Sequence, residues 1–278
     1  MKKVVIVPNK VKDAELSVTS KVIEKLSIYG IEAYIDEKNA ALINCSAVTV
    51  YKHFPKDAEL IIVVGGDGSI IDASSLAVRW NLPIVGVNLG KIGYLSEIDP
   101  YSLDVLKRLK DGDFYIEEKL LLSIEGIEDR YAVNDVVISH ESELGIGDFR
   151  IEDKNGNSIK YRADGIILAT PQGSTAYSLS AGGPIVAHDV DTILLSAVAP
   201  HSFFNRSVLF NASDVLKITN LGNDELNVSI DGRLVAHLNA NEVCTVSKAH
   251  VKVKILTFTK NSMFSNLFNK MQLLEDMH

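Results

Sequence analysis

Cysteine is scarce. The 278 residues hold two, Cys45 and Cys244, far apart in the chain. Two thiols so placed make neither a disulfide framework nor a zinc site, and they suit a reduced, cytoplasmic protein. Basic charge is also short: 28 lysines and arginines face 36 aspartates and glutamates, a formal net charge of −8. General nucleic-acid binders carry the opposite balance, so no nucleic-acid partner is expected. An anionic small ligand remains compatible, because its site needs only local cations. No apolar run approaches the roughly 18 residues of a membrane span, so no membrane partner is expected. The N-terminal run MKKVVIVPNK stops at Pro8 and Asn9, too early for a signal peptide. There is no internal repeat, and the histidines show no ligand-like spacing, so no metal site is assigned to side chains. With 46% hydrophobic and 23% charged residues the chain is globular, and its length suits one large domain or two ordinary ones.

What is present divides near Pro100. Before it, strand and helix signals alternate. Val4 to Pro8, Ile31 to Ile35, Leu60 to Val64 and Pro83 to Val87 read as strands. Helices are predicted over Ala14 to Tyr29, capped by Asp13 and ended by Gly30, and over Ser69 to Trp80. This alternation implies a doubly wound, mainly parallel α/β sheet over residues 1–99, with ligands at the strand C-termini. A further helix is predicted around Leu103 to Lys110. Beyond it, strand-like runs separated by turn residues predict a β-rich domain over 100–259. Among them are Lys119 to Gly126, Tyr131 to Ser139, Gly165 to Thr170, Thr192 to Ala199, Leu226 to Asp231 and His250 to Phe258. A last helix, Met263 to Leu274, is expected to pack back on the first domain.

Two stretches carry chemistry. The first is LIIVVGGDGSIIDAS, Leu60 to Ser74. A glycine turn between an apolar strand and a helix presents backbone N–H groups to phosphate. An acid there, Asp67, would repel that anion unless it takes part in the chemistry. The match to G-x-G-x-x-G is partial, and no G-K-[ST] follows, so neither a dinucleotide fingerprint nor a Walker loop is present. The second is RADGIILATPQGSTAYSLSAGGP, Arg162 to Pro184. So many small hydroxyls and glycines form a poor core but a good floor for a polar ligand.

Together, GGDG and DGIILATPQGSTAYSLSAGGP resemble the NAD kinase family, and the resemblance runs from the first strand to VSIDGR, Val228 to Arg233. It implies transfer of the terminal phosphoryl group of ATP, or of polyphosphate, to the 2′-hydroxyl of the adenosine ribose of NAD, giving NADP. Position by position, it implies that Asp67 is catalytic, with Gly68 beside it. Tyr94 matches an aromatic position lining the NAD pocket. Asn134 and Asp135 match an Asn-Glu pair on the ribose and adenine, and Arg162 and Asp164 match polar residues near the nicotinamide half. Thr175, Ala176, Tyr177, Ser178 and Ser180 fall in the stretch that wraps adenine and ribose. Ala199 and His201, in APHSFFNR, lie beside the ligand, and Asp231 and Arg233 close the pocket. The resemblance further implies Mg²⁺ or another divalent cation, and a homodimer or homotetramer in which a neighbouring subunit completes the NAD site. Four positions depart from the family pattern: Ser69 for Thr, Asp135 for Glu, Gln172 for Thr and Arg233 for Gln.

The acid in the glycine turn then has a role. A ribose hydroxyl is a weak nucleophile, and Asp67 is expected to take its proton as general base while Mg²⁺ offsets the repulsion of the donor phosphates. Lys91, near a predicted strand end, is a candidate for holding donor phosphate. Two alternatives stay open at this point. A diacylglycerol-kinase-like lipid kinase shares the GGDG loop, although Ser174 to Ser180 is polar for a lipid site. A non-catalytic NAD(P) sensor would gain little from Asp67.

Overall fold

The computed structural model describes residues 1–260 except 44, 91, 92, 94, 141–144, 202 and 203. The predicted helix Met263 to Leu274, with Lys91 and Tyr94, lies outside the described residues. The described residues form two compact units, 1–118 with 253–260, and 119–252.

The first unit begins with β1 (Lys3–Pro8), α1 (Ser17–Ile28), β2 (Glu32–Asp36), α2 (Glu37–Ala40) and β3 (Val48–Tyr51). It continues with β4 (Leu60–Gly65), α3 (Asp67–Trp80), β5 (Ile84–Asn88) and β6 (Ser96–Ile98), then a 3₁₀ turn (Leu103–Leu106) and α4 (Lys107–Asp111). The strands run β3–β2–β1–β4–β5, with β6 on the far side of β5, and every pair is parallel. β4 is buried at all six positions, as a central strand covered on both faces must be. Its apolar run therefore carries no alternation.

Helix α3 lies close on β5. Ile70 occupies the space where a Cβ on Gly86 would stand, so the strand needs glycine there. Helix α1 starts three residues later than its apolar spacing predicts. Leu16 takes a left-handed φ of 51°, and the chain turns before the helix begins. The buried Asp13 carboxylate still serves the helix start, accepting from the Val18 N–H at 3.2 Å and the Thr19 N–H at 2.8 Å. The predicted helix at Leu103 to Lys110 is split into the 3₁₀ turn and α4, and ends on Gly112 at φ 73°.

The second unit is antiparallel. Entered through β7 (Tyr115–Ile124), it holds β8 (Asp135–His140), β9 (Gly147–Glu152), β10 (Ser158–Ala163) and β11 (Gly165–Ala169). The short helix α5 (Tyr177–Ser180) and β12 (Thr192–Val198) follow. Then come β13 (Val208–Asn211), β14 (Val215–Asn220), β15 (Leu226–Ile230), β16 (Arg233–Leu238) and β17 (Val243–Thr257). Six strands form one sheet, β13–β12–β11–β8–β15–β16. β10, β9, β14 and the first part of β17 form another. Val136, Ile138, Ile166 and Leu168 from the first sheet and Phe149, Ile151, Leu216 and Ile218 from the second share one core. The end of β17 returns to the first unit and pairs with β5, Ile255 against Ile84. The α/β and β-rich classes read from the sequence are both present. β3, β6, β9, β10, β13, β14 and β16 add strands that the apolar runs did not reveal.

Candidate functional site

The first unit contributes the glycine turn. β4 ends at Gly65, Gly66 caps α3, and Asp67 is the first residue of the helix. The turn is therefore tighter than an open loop, and the helix begins two residues earlier than the apolar spacing of Ile70, Ala73 and Ala77 alone marks. Gly68 is exposed, and a Cβ on it would meet nothing. Asp67 is half-buried. Its Oδ1 accepts from the backbone N–H of Leu95 and of Ser96, both at 3.2 Å, and from the Ser96 hydroxyl at 3.1 Å. Three donors on one oxygen hold the carboxylate in a single direction. Gly93 makes room for this arrangement: a Cβ there would collide with the Ser96 hydroxyl and lie 2.8 Å from Asp67 Oδ1. The sequence offered no signal for Ser96, because a donor 29 residues away is invisible to periodicity.

The second unit holds most of the remaining positions, and three backbone clamps bring them into groups. In the first, Asp231 sits in the two-residue turn between β15 and β16, with φ 48°, followed by Gly232 at φ 77°. Its carboxylate accepts from the backbone N–H of Val133 and Asn134 at 2.8 Å and of Asp135 at 3.0 Å. In the second, Thr170 donates its backbone N–H to the Asn134 carbonyl at 2.8 Å and its hydroxyl to the Val133 carbonyl at 2.6 Å, while the Gly173 N–H donates back to that hydroxyl at 3.0 Å. Gly173 lies so close to the Asn134 backbone that any Cβ would collide with it. The hydroxyl-rich stretch is thereby laid against the Asn134–Asp135 step.

Within that stretch the hydroxyls divide by role. Ser174 and Ser178 are fully buried. Ser174 donates to the Pro171 carbonyl at 2.7 Å and accepts from the Val186 N–H at 3.0 Å. Ser178 shares a hydrogen bond with Ser196 at 3.1 Å, and Ser196 shares one with Ser207 at 2.8 Å. These side chains form the underside of the cradle. Thr175 and Ala176 are half-buried, while Tyr177 and Ser180 are exposed. Asp135 is buried beneath them. Burial first, then the nearby Asp231 charge, push its carboxyl up to about 7, and the Tyr177 backbone N–H bonded to it pulls the other way. Asn134 is half-buried, and its side-chain amide makes no hydrogen bond among the described residues.

The third clamp gathers the other edge. The His201 N–H donates to the Arg162 carbonyl at 2.7 Å, the Asp164 N–H to the Val198 carbonyl at 3.0 Å, and the His140 N–H to the Asp164 carbonyl at 3.2 Å. Arg162, Asp164, Ala199 and His201 are thus neighbours. Ala199 holds a left-handed φ of 43° directly before Pro200, a strained conformation for a residue with a Cβ. The side chains of Asp164 and His201 make no hydrogen bond among the described residues. Arg233 is exposed at the start of β16, next to the Asp231 turn.

A parallel α/β unit with an acid in its glycine turn, joined to an antiparallel unit with a hydroxyl-lined cradle, defines a phosphotransferase of the kind that phosphorylates an alcohol on a polar substrate. Comparison with known proteins makes this specific. Residues 4–114 match the ATP-NAD kinase N-terminal domain and residues 133–258 match the ATP-NAD kinase C-terminal domain. The chain belongs to the ATP-NAD kinase family, whose members are enzymes that phosphorylate NAD. It is 32% identical to the NAD kinase of Caldanaerobacter subterraneus, covering 98% of this chain and 99% of that one. It is also 32% identical to the NAD kinase of Lachnoclostridium phytofermentans, covering 97% and 99%. Among solved structures, the yeast NADH kinase complexed with NADH shares the fold with a TM-score of 0.83 at 22% identity, covering 96% of this chain and 86% of that one. An Archaeoglobus fulgidus NAD kinase in complex with ATP does so with a TM-score of 0.71 at 22% identity, covering 97% and 98%. Neither the lipid-kinase nor the sensor reading is favoured by these likenesses.

Proposed function

We propose that the protein transfers the terminal phosphoryl group of ATP to the 2′-hydroxyl of the adenosine ribose of NAD, with Asp67 as general base. The observation that carries this reading is the Asp67 carboxylate, fixed at the head of α3 by Leu95 and Ser96. As the new O–P bond forms, the hydroxyl proton passes to Asp67, a step worth about 10²–10⁴-fold in rate. Exposed Gly68 leaves the donor phosphates room to approach the helix start. In the second unit the Asn134 amide, Thr175, Ala176, Tyr177 and Ser180 line the adenosine, while Asp135, Ser178 and Asp231 hold those groups in place from below. Arg162, Asp164, Ala199 and His201 face the nicotinamide half.

Donor phosphates bring their own oxygens to a magnesium ion, which then needs only one or two protein carboxylates. The residues at the turn fit such an ion, since Asp67 is a carboxylate at the helix start. When bound, the ion neutralises donor charge. The proposed setting is cytoplasmic, with the chain acting as a homo-oligomer. Among the described residues, no helix is long and apolar enough to cross a membrane.

The test is direct. Purified protein is incubated with NAD, ATP and Mg²⁺, and NADP is followed with an NADP-specific dehydrogenase. Native protein is expected to form NADP, and Asp67→Asn to lose about 100-fold or more of that rate. A folded native protein that forms no NADP with ATP or polyphosphate would overturn the reading.

A further inference from the structure

We infer that Lys12 is a donor-phosphate residue, placed over the glycine turn by Asn9. The inference rests on the NAD kinase reading and adds a cation that the sequence motifs did not mark. It begins from topology. In the order β3–β2–β1–β4–β5 the chain reverses direction between β1 and β4. Ligands of open parallel sheets sit beyond the strand C-termini at that reversal. Two segments leave the sheet there: Gly66 and Asp67 from β4, and Asn9 to Lys12 from β1.

Asn9 ties the two segments together. Its N–H donates to the Val64 carbonyl at 2.9 Å, and its side-chain amide donates to the Ser69 hydroxyl of α3 at 2.7 Å. Its Oδ1 accepts from the Val11 N–H at 2.9 Å and the Lys12 N–H at 3.2 Å, closing a turn. That turn sends the Lys12 side chain over the head of the helix. The Lys12 ammonium lies close against the place a Cβ on Gly66 would take, and 3.5 Å from where a Cβ on Gly90 would be. Lys12 is exposed, and its ammonium has no hydrogen bond or ion pair among the described residues. A cation at the positive end of the 14-residue α3 is a like-sign pairing. A phosphate between them turns both into attraction, with charge-assisted hydrogen bonds from the ammonium.

The chemistry recognised is a phosphoanion, carried both by the donor triphosphate and by the NAD pyrophosphate. The position beside Asp67 at the sheet reversal assigns it to the donor, and the experiment separates the two. Lys12→Met keeps length and removes charge at an exposed position, and Lys12→Arg restores charge. Lys12→Met is expected to raise KM for MgATP about tenfold or more and to leave KM for NAD unchanged, with Lys12→Arg largely recovering the native value. Titration with a non-hydrolysable ATP analogue is expected to show the same weakening, and it reads the contact independently of turnover. Unchanged ATP KM and analogue affinity in Lys12→Met would overturn the inference, as would a change confined to NAD or a native protein that does not bind the analogue. Failure of the NAD kinase reading shows separately, as absence of NADP from native protein that still binds the analogue through Lys12.

Discussion

Ser96 grips Asp67 twice: its backbone N–H and its hydroxyl both donate to Asp67 Oδ1, at 3.2 and 3.1 Å. Ser96 touches the base rather than the substrate, so it positions. Ser96→Ala keeps the backbone donor and removes the hydroxyl. Its kcat for NADP formation is expected to fall by about three- to tenfold while both KM values stay near native. Ser96→Thr, which keeps the hydroxyl, is expected to recover most of the rate. Equal loss in both variants would indicate a packing effect.

Gly173 and Asn134 meet backbone to backbone, with no room for a Cβ. Gly173→Ala forces the two segments apart. Thermal unfolding is expected to show a loss of about 1–3 kcal/mol. The displaced Asn134 should also raise KM for NAD more than KM for ATP, which steady-state kinetics would show.

Asp231→Ala leaves three backbone N–H groups at the start of β8 without their acceptor. Removing a partner shared by several donors costs about 1–3 kcal/mol or more. Denaturant unfolding should show that loss together with weaker NAD binding. Asp231→Asn, which keeps an acceptor oxygen, should lose less.

Asp135 makes the stability of the fold depend on pH. Burial and the Asp231 charge raise its carboxyl from 3.8 to about 7. Below about pH 4 both folded and unfolded chains hold the proton, and the shift contributes nothing. Between about pH 4 and pH 7 the unfolded chain releases a proton that the folded chain keeps, so this group lowers stability as pH rises, and the effect levels off above 7. Asp135→Asn lacks that slope. The Tm of the variant relative to native is therefore expected to rise between about pH 4.5 and about pH 8. A gap that stays constant across that range would refute the assignment.

The parts of this molecule that were legible in the sequence are those set by local patterns. The unbroken apolar run Leu60 to Val64 is a central strand because both its faces are covered. Asp67 stood out because an acid in a phosphate-type turn demands a reason. What escaped was set by partners distant in the chain. Leu16 shortened α1 by taking a left-handed turn, and apolar spacing cannot show this. Ser174 and Ser178 read as ligand hydroxyls by composition, yet the structure turns their oxygens toward Pro171, Val186 and Ser196. No local pattern in the sequence marks Lys12. Its placement depends on Asn9 meeting Ser69, 60 residues away.

The Asp231 turn also bears on how the molecule is made. Asn134 and Asp231 are 97 positions apart, yet the first is held by the second. A chain still emerging from synthesis, or cut after residue 225, has β8, the hydroxyl stretch and the Thr170 clamp on the Val133 and Asn134 carbonyls, but lacks the carboxylate that takes the N–H groups of Val133, Asn134 and Asp135. Contacts of such long sequence separation form late, after loop closure. The surface proposed to receive NAD is thus finished only when the β15–β16 hairpin closes, and acceptor binding becomes a report on completed folding.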